Sequence, residues 1–359
     1  MNPNDDAICE NLIFLISQPR TGSTLVQNIL GGHPAIFTLQ EPWLMLHPLY
    51  DLWHSGKAKY EWDKANNAVQ KLLESLPNGT ADYFEAVRRM YGYLYNRALA
   101  ASGKQVFLDK TPRYYFIIPE LKLAFPKARF IILFRNPLAV LISIIKSWDL
   151  LFLFQYKEDL LRAPLLLLNG SDHLMDGRVV VQYEKFIAAP EYELRRICES
   201  INLEFKPEIL EYKNRELDHW VFGDRHGILQ NNNRPVPQHS EKWIQSLDNP
   251  QVWRLAREYL QALGPEVISR MGYAYEELSS LLVSKHPTWI QLIFTLPMRL
   301  YLRQPSERII RLRRIVLTVK QSIKKRGWWR TFRLGMSRIR GCEINIGDMK
   351  HACGSGSSR

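Results

Sequence analysis

The segment at residues 11–25, NLIFLISQPRTGSTL, constrains the fold more than any other part of the chain. Its apolar run, Leu12–Ser17, is strand length and ends in a turn of small residues, after which a helical pattern begins. A strand, loop and helix in this order direct backbone N–H groups and the positive end of a helix dipole at an anion. The loop is not a Walker A motif, because its basic residue, Arg20, precedes the turn and no Gly-Lys-Ser/Thr follows. The segment predicts a phosphate site that differs from the usual ATP–magnesium arrangement.

Further strands and helices alternate after this segment. Three more apolar runs of strand length occur, at residues 105–109, Arg129–Phe134 and Arg178–Gln182. Apolar strand centres are typical of a parallel sheet that is buried on both faces. The alternation predicts an α/β fold, a P-loop-like doubly wound parallel sheet flanked by helices, with its site at the carboxyl ends of the strands. We expect the first helix at about residues 22–30 and a second to begin at Asn136-Pro137, an N-cap residue followed by proline.

Two inserted regions interrupt the alternation. Residues 41–104 are helical in pattern and rich in aromatic side chains, and residues 149–177 are rich in leucine. Two interpretations stay open for these side chains. They pack in a helical core, or some of them wall an acceptor pocket over the edge of the sheet.

The positive charge of the chain is concentrated near its C-terminus. The net charge is +12, but residues 299–340 alone carry fourteen Lys or Arg and one acidic residue, so the remainder is close to neutral. No recognisable nucleic-acid-binding module accompanies these charges, and we expect no nucleic-acid partner. At helical spacing an apolar stripe runs among the basic residues, formed by Ile309, Leu312, Ile315, Val316, Val319 and Ile323. The stripe predicts either a helix that packs on the body or on a second subunit, or a segment at a membrane surface, which Trp328 and Trp329 also favour.

The N-terminus and the cysteines bear on location. Residues 1–6 are acidic, and the apolar run that begins at Leu12 is too short for a membrane span, so neither a signal peptide nor an anchor is predicted. The four cysteines are scattered and form no Cys-x-x-Cys pair, which favours a reducing compartment. We therefore expect a cytoplasmic protein, with association at a membrane surface through the basic tail as an additional hypothesis.

Four more motifs lie further along the chain, after the phosphate loop. Residues 129–143, RFIILFRNPLAVLIS, place Arg135 at the end of a strand and Ser143 eight residues later. Residues 107–115, FLDKTPRYY, place Lys110 at the end of another strand. Residues 180–186, VVQYEKF, contain Tyr183, and residues 240–243, SEKW, contain Lys242.

Together with the phosphate loop, these motifs resemble those of the sulfotransferases that use 3′-phosphoadenosine 5′-phosphosulfate (PAPS), over about residues 11–275. The Pro-Arg form of the loop is similar to the bacterial and tyrosylprotein branches of that family. The resemblance implies binding of the 5′-phosphosulfate by Arg20, Thr21, Gly22, Ser23 and Thr24. It implies that Arg135 and Ser143 bind the 3′-phosphate, that Tyr183 lies near the adenine and that Lys242 closes over the nucleotide. A guanidinium offers phosphate a bidentate fork, which agrees with the role of Arg135.

The resemblance also implies the catalytic groups. Glu41 follows Arg20 by 21 residues, where sulfotransferases with the Pro-Arg loop carry a catalytic glutamate, and we expect it to be the general base. Its neighbours Pro42 and Trp43 favour a raised carboxylate pKa, whereas an ordinary exposed glutamate at a helix start is the alternative. Lys110 is expected near the bridging oxygen, where it and Arg20 neutralise the transferring group without a metal ion. Whether His47 assists Glu41 stays open.

These residues predict transfer of a sulfuryl group from PAPS to a hydroxyl or amine of a small-molecule, carbohydrate or other acceptor, with 3′,5′-adenosine diphosphate (PAP) as product. Two alternatives remain. A P-loop-type small-molecule or nucleoside kinase would need a loop lysine and magnesium ligands. A catalytically inactive nucleotide-binding protein at a membrane surface would bind without turnover. For the domains we expect a sulfotransferase domain at residues 1–283, a basic amphipathic helical extension at 284–342 and a disordered tail at 343–359.

Overall fold

The computed structural model describes residues 10–39, 41–50, 61–175, 177–211, 241–306 and 309. The chain divides into two compact units, Met1–Leu302 and Arg303–Arg359. Apart from Ile309, the apolar stripe predicted for the tail lies outside the described residues, as do Trp328, Trp329 and the predicted disordered tail at 343–359. The three predicted domain boundaries stay predictions.

The centre of the first unit is a parallel sheet of five strands in the order β2-β3-β1-β4-β5. The strands are β1 (Leu12–Ser17), β2 (Ile36–Thr38), β3 (Val106–Lys110), β4 (Arg129–Phe134) and β5 (Arg178–Gln182). The predicted doubly wound parallel sheet is confirmed, and three predicted strands have the predicted bounds. The strand predicted at 105–109 lies one residue later, and β2 was not predicted because its three residues are too few for a periodic pattern.

Helices lie on both faces of this sheet, and further helices pack beyond them in the described part of the chain. In chain order they are α1 (Ser23–Leu30), α2 (Trp62–Ser75), α3 (Thr80–Ser102), α4 (Ile118–Ala124), α5 (Pro137–Trp148), α6 (Lys157–Leu161), α7 (Ala163–Leu174), α8 (Tyr183–Ala188), α9 (Pro190–Ser200), α10 (Pro250–Arg270), α11 (Tyr275–Ser284), α12 (Trp289–Ile293) and α13 (Met298–Leu302). The expected first helix is α1, and α5 begins as predicted, with the Asn136 side chain accepting hydrogen bonds from the N–H groups of Leu138 and Ala139.

The core follows the alternation of side chains along β1. Phe14 packs on one face of the sheet with residues of α3, α4 and α7, whereas Leu15 packs on the other face with α1, α8 and α9. A third cluster joins α5 to α10. In the first inserted region Phe84 and Tyr95 are buried in this core, while Tyr93 is 61% exposed. Core packing thus accounts for two of the aromatic residues that the sequence left open.

No helix among the described residues is both long enough and apolar enough to cross a membrane. The leucine-rich second inserted region forms the 3₁₀ helix Leu150–Tyr156 followed by α6 and α7. The carboxyl ends of β1, β3, β4 and β5 lie along one side of this parallel sheet, and Arg20, Lys110, Arg135 and Tyr183 end or follow these strands.

Candidate active site

The loop between β1 and α1 has a backbone that depends on glycine. Gly22 has φ of +93°, in the left-handed region that favours glycine, and a Cβ atom here would overlap the ring of Tyr183. Arg20 also has a positive φ, of +72°, which is uncommon for a residue with a side chain. The loop is held by Thr21, whose hydroxyl donates to the Gln18 carbonyl oxygen at 2.8 Å. The first amides of α1 have no acceptor within the helix, so this turn offers N–H groups to an anion.

Residues that were predicted to bind the nucleotide lie together beside this loop. They come from segments that follow three different strands. Arg20 Nε donates to Ser143 Oγ at 3.2 Å, and an Arg135 guanidinium N–H donates to the Arg20 carbonyl oxygen at 3.0 Å. The Arg135 guanidinium lies 4.5 Å from the ring centroid of Tyr183, within cation–π range. The structure therefore brings Arg20, Ser143, Arg135 and Tyr183 into one cluster.

The Arg135 Nε atom tests whether this cluster fits an anionic ligand. It is buried and has no hydrogen-bond partner among the described residues. Buried donors are almost always hydrogen-bonded, so an orphaned guanidinium N–H needs an acceptor from elsewhere. A phosphate oxygen supplies one, and arginine is the side chain best suited to bind it. The residues present thus fit the 3′-phosphate of PAPS.

Lys110 and Glu41 form an ion pair on the opposite side of the loop. Lys110 Nζ donates to Glu41 Oε1 at 2.7 Å and also lies 3.4 Å from Thr24 Oγ1. The Lys110 side chain has no exposed surface, whereas Glu41 is 15% exposed. Burial lowers the pKa of Lys110, and the negative charge of Glu41 acts in the opposite direction. An acidic and a basic group therefore lie within reach of the phosphate loop.

A buried carboxyl next to Lys110 was not among the predicted site residues. Asp109 has no exposed surface and accepts hydrogen bonds from Tyr95 at 2.6 Å, Tyr114 at 3.0 Å and Thr111 at 3.1 Å. Burial raises the pKa of Asp109 to about 6, against the effect of these donors. An acidic residue inside an otherwise apolar strand was the signal that would have identified this position, because buried carboxyl groups need partners.

Asp159 is a second buried carboxyl that the sequence did not identify. It accepts two hydrogen bonds from Arg113, at 3.0 and 2.7 Å, and one from the Tyr115 hydroxyl at 2.6 Å. Its backbone carbonyl accepts from Gln18 Nε2 at 2.7 Å, which connects α6 to the phosphate loop. Asp159 thus accepts hydrogen bonds both from the phosphate loop and from the segment that follows β3.

Arg20 has a further neighbour from the end of α5. Its guanidinium lies 5.3 Å from the ring centroid of Trp148, which in turn stacks on Tyr156 at 4.6 Å. The two rings are contributed by the second inserted region and the helix before it. They shield one side of the Arg20 side chain from water.

Two residues considered in the sequence analysis are not brought into the cluster. Lys242 is exposed in the turn before the 3₁₀ helix Ile244–Asp248, and within the described residues no contact joins it to the loop or to Arg135. His47 is exposed in the π-helical turn Leu46–Tyr50, and no hydrogen bond to Glu41 is present in the part of the chain that the structure describes. The described ranges also contain no group of three His, Cys, Asp or Glu side chains that is placed to hold a metal ion.

Comparison with known proteins identifies the family. The nodulation protein NoeE of Sinorhizobium fredii is 26% identical over 291 residues, which cover 73% of this chain and 66% of that protein. This chain therefore spans slightly less than two thirds of NoeE. A putative protein-tyrosine sulfotransferase of Caenorhabditis briggsae is 24% identical over 213 residues, or 56% of this chain and 69% of that protein.

Among solved structures, the sulfotransferase domain from the curacin biosynthetic pathway aligns with a TM-score of 0.44 and 20% identity, covering 64% of this chain and 89% of that domain. The model of the sulfotransferase family matches residues 12–207, which include the phosphate loop, Glu41, Lys110, Arg135, Ser143 and Tyr183. This match covers more than half of the sequence, and the chain belongs to the sulfotransferase family.

Proposed function

We propose that this sulfotransferase uses PAPS as donor and transfers its sulfuryl group to a hydroxyl or amine of a small-molecule, carbohydrate or other acceptor. The observation that carries the proposal is the position of the Lys110–Glu41 pair, at 2.7 Å, next to Thr24 of the phosphate loop. A cation and a carboxylate at the loop can supply two functions that sulfuryl transfer uses: the cation stabilises the transferring charge and the carboxylate takes the acceptor proton.

For the donor we assign the residues of the loop and of the adjacent cluster. The 5′-phosphosulfate is bound by the residues Arg20, Thr21, Gly22, Ser23 and Thr24 through their amides and side chains. Arg135 and Ser143 bind the 3′-phosphate, since the Arg135 Nε–H has no acceptor among the described residues and the Ser143 hydroxyl, which accepts from Arg20, also has a proton to donate. Tyr183 borders the adenine. The role of Lys242 in nucleotide binding is proposed from the sequence motif alone.

For the chemical step we assign the proton acceptor to Glu41. As the acceptor oxygen or nitrogen forms its bond to sulfur, Glu41 takes its proton. The bond between sulfur and the bridging oxygen breaks in line with it, and PAP leaves with that oxygen. Lys110 and Arg20 stabilise the negative charge that gathers on the transferring and leaving oxygens. A positioned general base contributes about 10²- to 10⁴-fold to the rate of such a step.

Calorimetric titration tests the donor assignment first. We expect PAP to bind tightly with or without magnesium, and ATP to bind more weakly. Arg135→Ala should reduce PAP affinity by at least about tenfold, because it removes a charged phosphate ligand. Arg129→Ala is the matched control, since Arg129 begins the same strand at its opposite end and donates to the Ser200 carbonyl. A preference for ATP with magnesium would overturn the proposal and favour the kinase alternative.

Acceptor-dependent PAP release then separates an enzyme from a binding protein. Wild-type protein is incubated with PAPS and a panel of phenols, sugars and amines, and the release of PAP is followed with each. Release that depends on an acceptor supports the proposal. PAP binding without any such release across the panel would favour the inactive nucleotide-binding alternative.

A further inference from the structure

A row of large apolar side chains is exposed after α11. The exposed fractions are 71% for Trp289, 53% for Ile290, 64% for Ile293, 84% for Phe294 and 49% for Leu296. We call these five residues the apolar patch. Single exposed apolar residues are ordinary, but five within eight positions are a concentration of the kind that marks an interaction site.

Packing and hydrogen bonds to α10 hold the backbone of the patch in place. Leu292 packs into the cluster of α5 and α10, and Met298 is 4% exposed in the same cluster. Polar side chains of α10 form hydrogen bonds with the backbone of Thr295 and Met298. Arg254 donates to the Thr295 carbonyl at 3.1 Å, and Glu258 accepts from the Met298 N–H at 2.6 Å.

Gln251 adds two more bonds to the backbone of Leu296, one accepted by its carbonyl at 2.7 Å and one donated by its N–H at 2.7 Å. These bonds fix which side chains face the core. The exposure of the apolar patch is therefore a consequence of a defined packing arrangement.

Along the sequence the patch is flanked by basic residues, while in the fold Asp248 pairs with Lys285 and Glu258 of α10 accepts from the Met298 N–H. No Asp or Glu occurs between Glu277 and Glu307, whereas Lys285, Arg299 and Arg303 lie in this interval. The sequence then continues with the basic residues of the tail, so that residues 299–340 hold fourteen Lys or Arg and one acid. The chain carries a net charge of +12, so a second copy would bring charge of the same sign, which opposes self-association. A partner with an apolar layer behind an anionic surface satisfies both properties.

We propose that the apolar patch docks on an anionic lipid bilayer. Its aromatic and aliphatic side chains enter the boundary between headgroups and acyl chains, and the flanking basic residues contact the anionic headgroups. This proposal does not depend on the identity of the sulfuryl donor or acceptor. It selects the membrane-surface hypothesis for the C-terminal region over packing against a second subunit.

Vesicle sedimentation with the full-length chain tests the proposal. We expect binding to vesicles of phosphatidylcholine with phosphatidylserine, weak binding to phosphatidylcholine alone, and loss of binding at high salt. The double variant Trp289→Ser/Phe294→Ser should bind at least about tenfold more weakly, because it removes the two aromatic rings of the patch. The control is Leu72→Ser/Met90→Ser, which alters side chains that are 58% and 59% exposed on α2 and α3 and should bind like the wild type.

Analytical ultracentrifugation distinguishes membrane docking from the alternative, in which a second copy of the chain covers the patch. The wild type should be monomeric without lipid, and both double variants should match it in sedimentation and in thermal midpoint. A dimer that is lost in Trp289→Ser/Phe294→Ser would show that a second copy covers the patch and would overturn the proposal. Unchanged vesicle binding by that variant would also overturn it.

Discussion

The ion pair of Lys110 and Glu41 is asymmetric, because the lysine is completely buried while the glutamate keeps 15% of its side chain exposed. Lys110 also lies against Thr24, so its ammonium faces the phosphate loop. Glu41 is the partner that a molecule arriving from solvent can contact. In the proposed function, the cation therefore lies on the side of the sulfuryl donor and the carboxylate on the side of the acceptor.

The first prediction concerns the carboxylate. Glu41→Gln keeps the shape of the side chain and removes its basicity, so turnover should fall about 10²- to 10⁴-fold. PAP affinity measured by calorimetry should stay nearly unchanged, because Glu41 does not contact the 3′-phosphate ligands. Glu61→Gln, at a side chain that is 73% exposed and paired with Lys64, is the control and should keep its turnover. Full activity in Glu41→Gln would reject Glu41 as the base.

A double-mutant cycle measures the coupling within the pair. We expect Glu41→Gln and Lys110→Met to couple by about 1–3 kcal/mol in the free energy of unfolding, since the two groups are in contact. Glu41→Gln should destabilise more than Lys110→Met, because it leaves a buried ammonium without its anion, whereas the freed Glu41 can contact water. Urea unfolding of the four proteins gives both quantities. Additive effects within about 0.5 kcal/mol would contradict the coupling.

The third prediction uses two glycines with positive φ. Gly103→Ala introduces only backbone strain, since φ is +65° and nothing lies within 4 Å of the added Cβ. Gly22→Ala adds an overlap with the Tyr183 ring to similar strain, so it should lower the free energy of unfolding by about 1–3 kcal/mol more than Gly103→Ala. It should also weaken PAP binding, because the loop amides move.

Combining Gly22→Ala with Tyr183→Ala tests the cause of that loss. Removal of the ring should recover part of the stability lost in Gly22→Ala, as judged against Tyr183→Ala alone. Equal destabilisation by Gly22→Ala in both backgrounds would show that contact with Tyr183 is not its cause.

The fourth prediction concerns pH. Burial raises the pKa of Asp109 from an ordinary 3.8 to about 6, so the folded state holds this proton more tightly than the unfolded state. Stability from Asp109 is therefore fully present below the unfolded pKa and is lost as pH rises through about 6, by about 2–3 kcal/mol in total. The free energy of unfolding of the wild type relative to Asp109→Asn should fall accordingly between about pH 3.5 and pH 6.5. A free energy of unfolding of the wild type relative to Asp109→Asn that stays constant over this pH range would contradict the prediction.

The sequence predicted the residues that lie at the edge of the sheet. Lys110, Arg135 and Tyr183 each end or follow a buried strand, and carboxyl ends of parallel strands share one edge whatever the order of the strands. Their meeting at the phosphate loop therefore follows from local patterns alone. Lys242 lies far along the chain from any predicted strand, and its motif gave no physical constraint on its position.

The supporting residues were beyond the reach of local patterns. Asp159 lies in the leucine-rich inserted region, and nothing in its neighbourhood indicates that Arg113, 46 residues earlier, donates two hydrogen bonds to it. Such pairs depend on how inserted helices pack, and packing is set by side chains that are distant in sequence. The strand β2 was missed for a different reason, because three residues carry no measurable alternation.

The hydrogen bond from Tyr95 to Asp109 joins the first inserted region to the strand that ends in Lys110. Inserted regions are the natural units to exchange when an enzyme is re-engineered for a new acceptor. In this chain such a graft cannot treat α3 as an independent module, because removing the Tyr95 hydroxyl takes a donor from a carboxyl that has no exposed surface. A chimera that replaces this region must therefore carry a tyrosine at the equivalent point of its new helix, or replace Asp109 along with it.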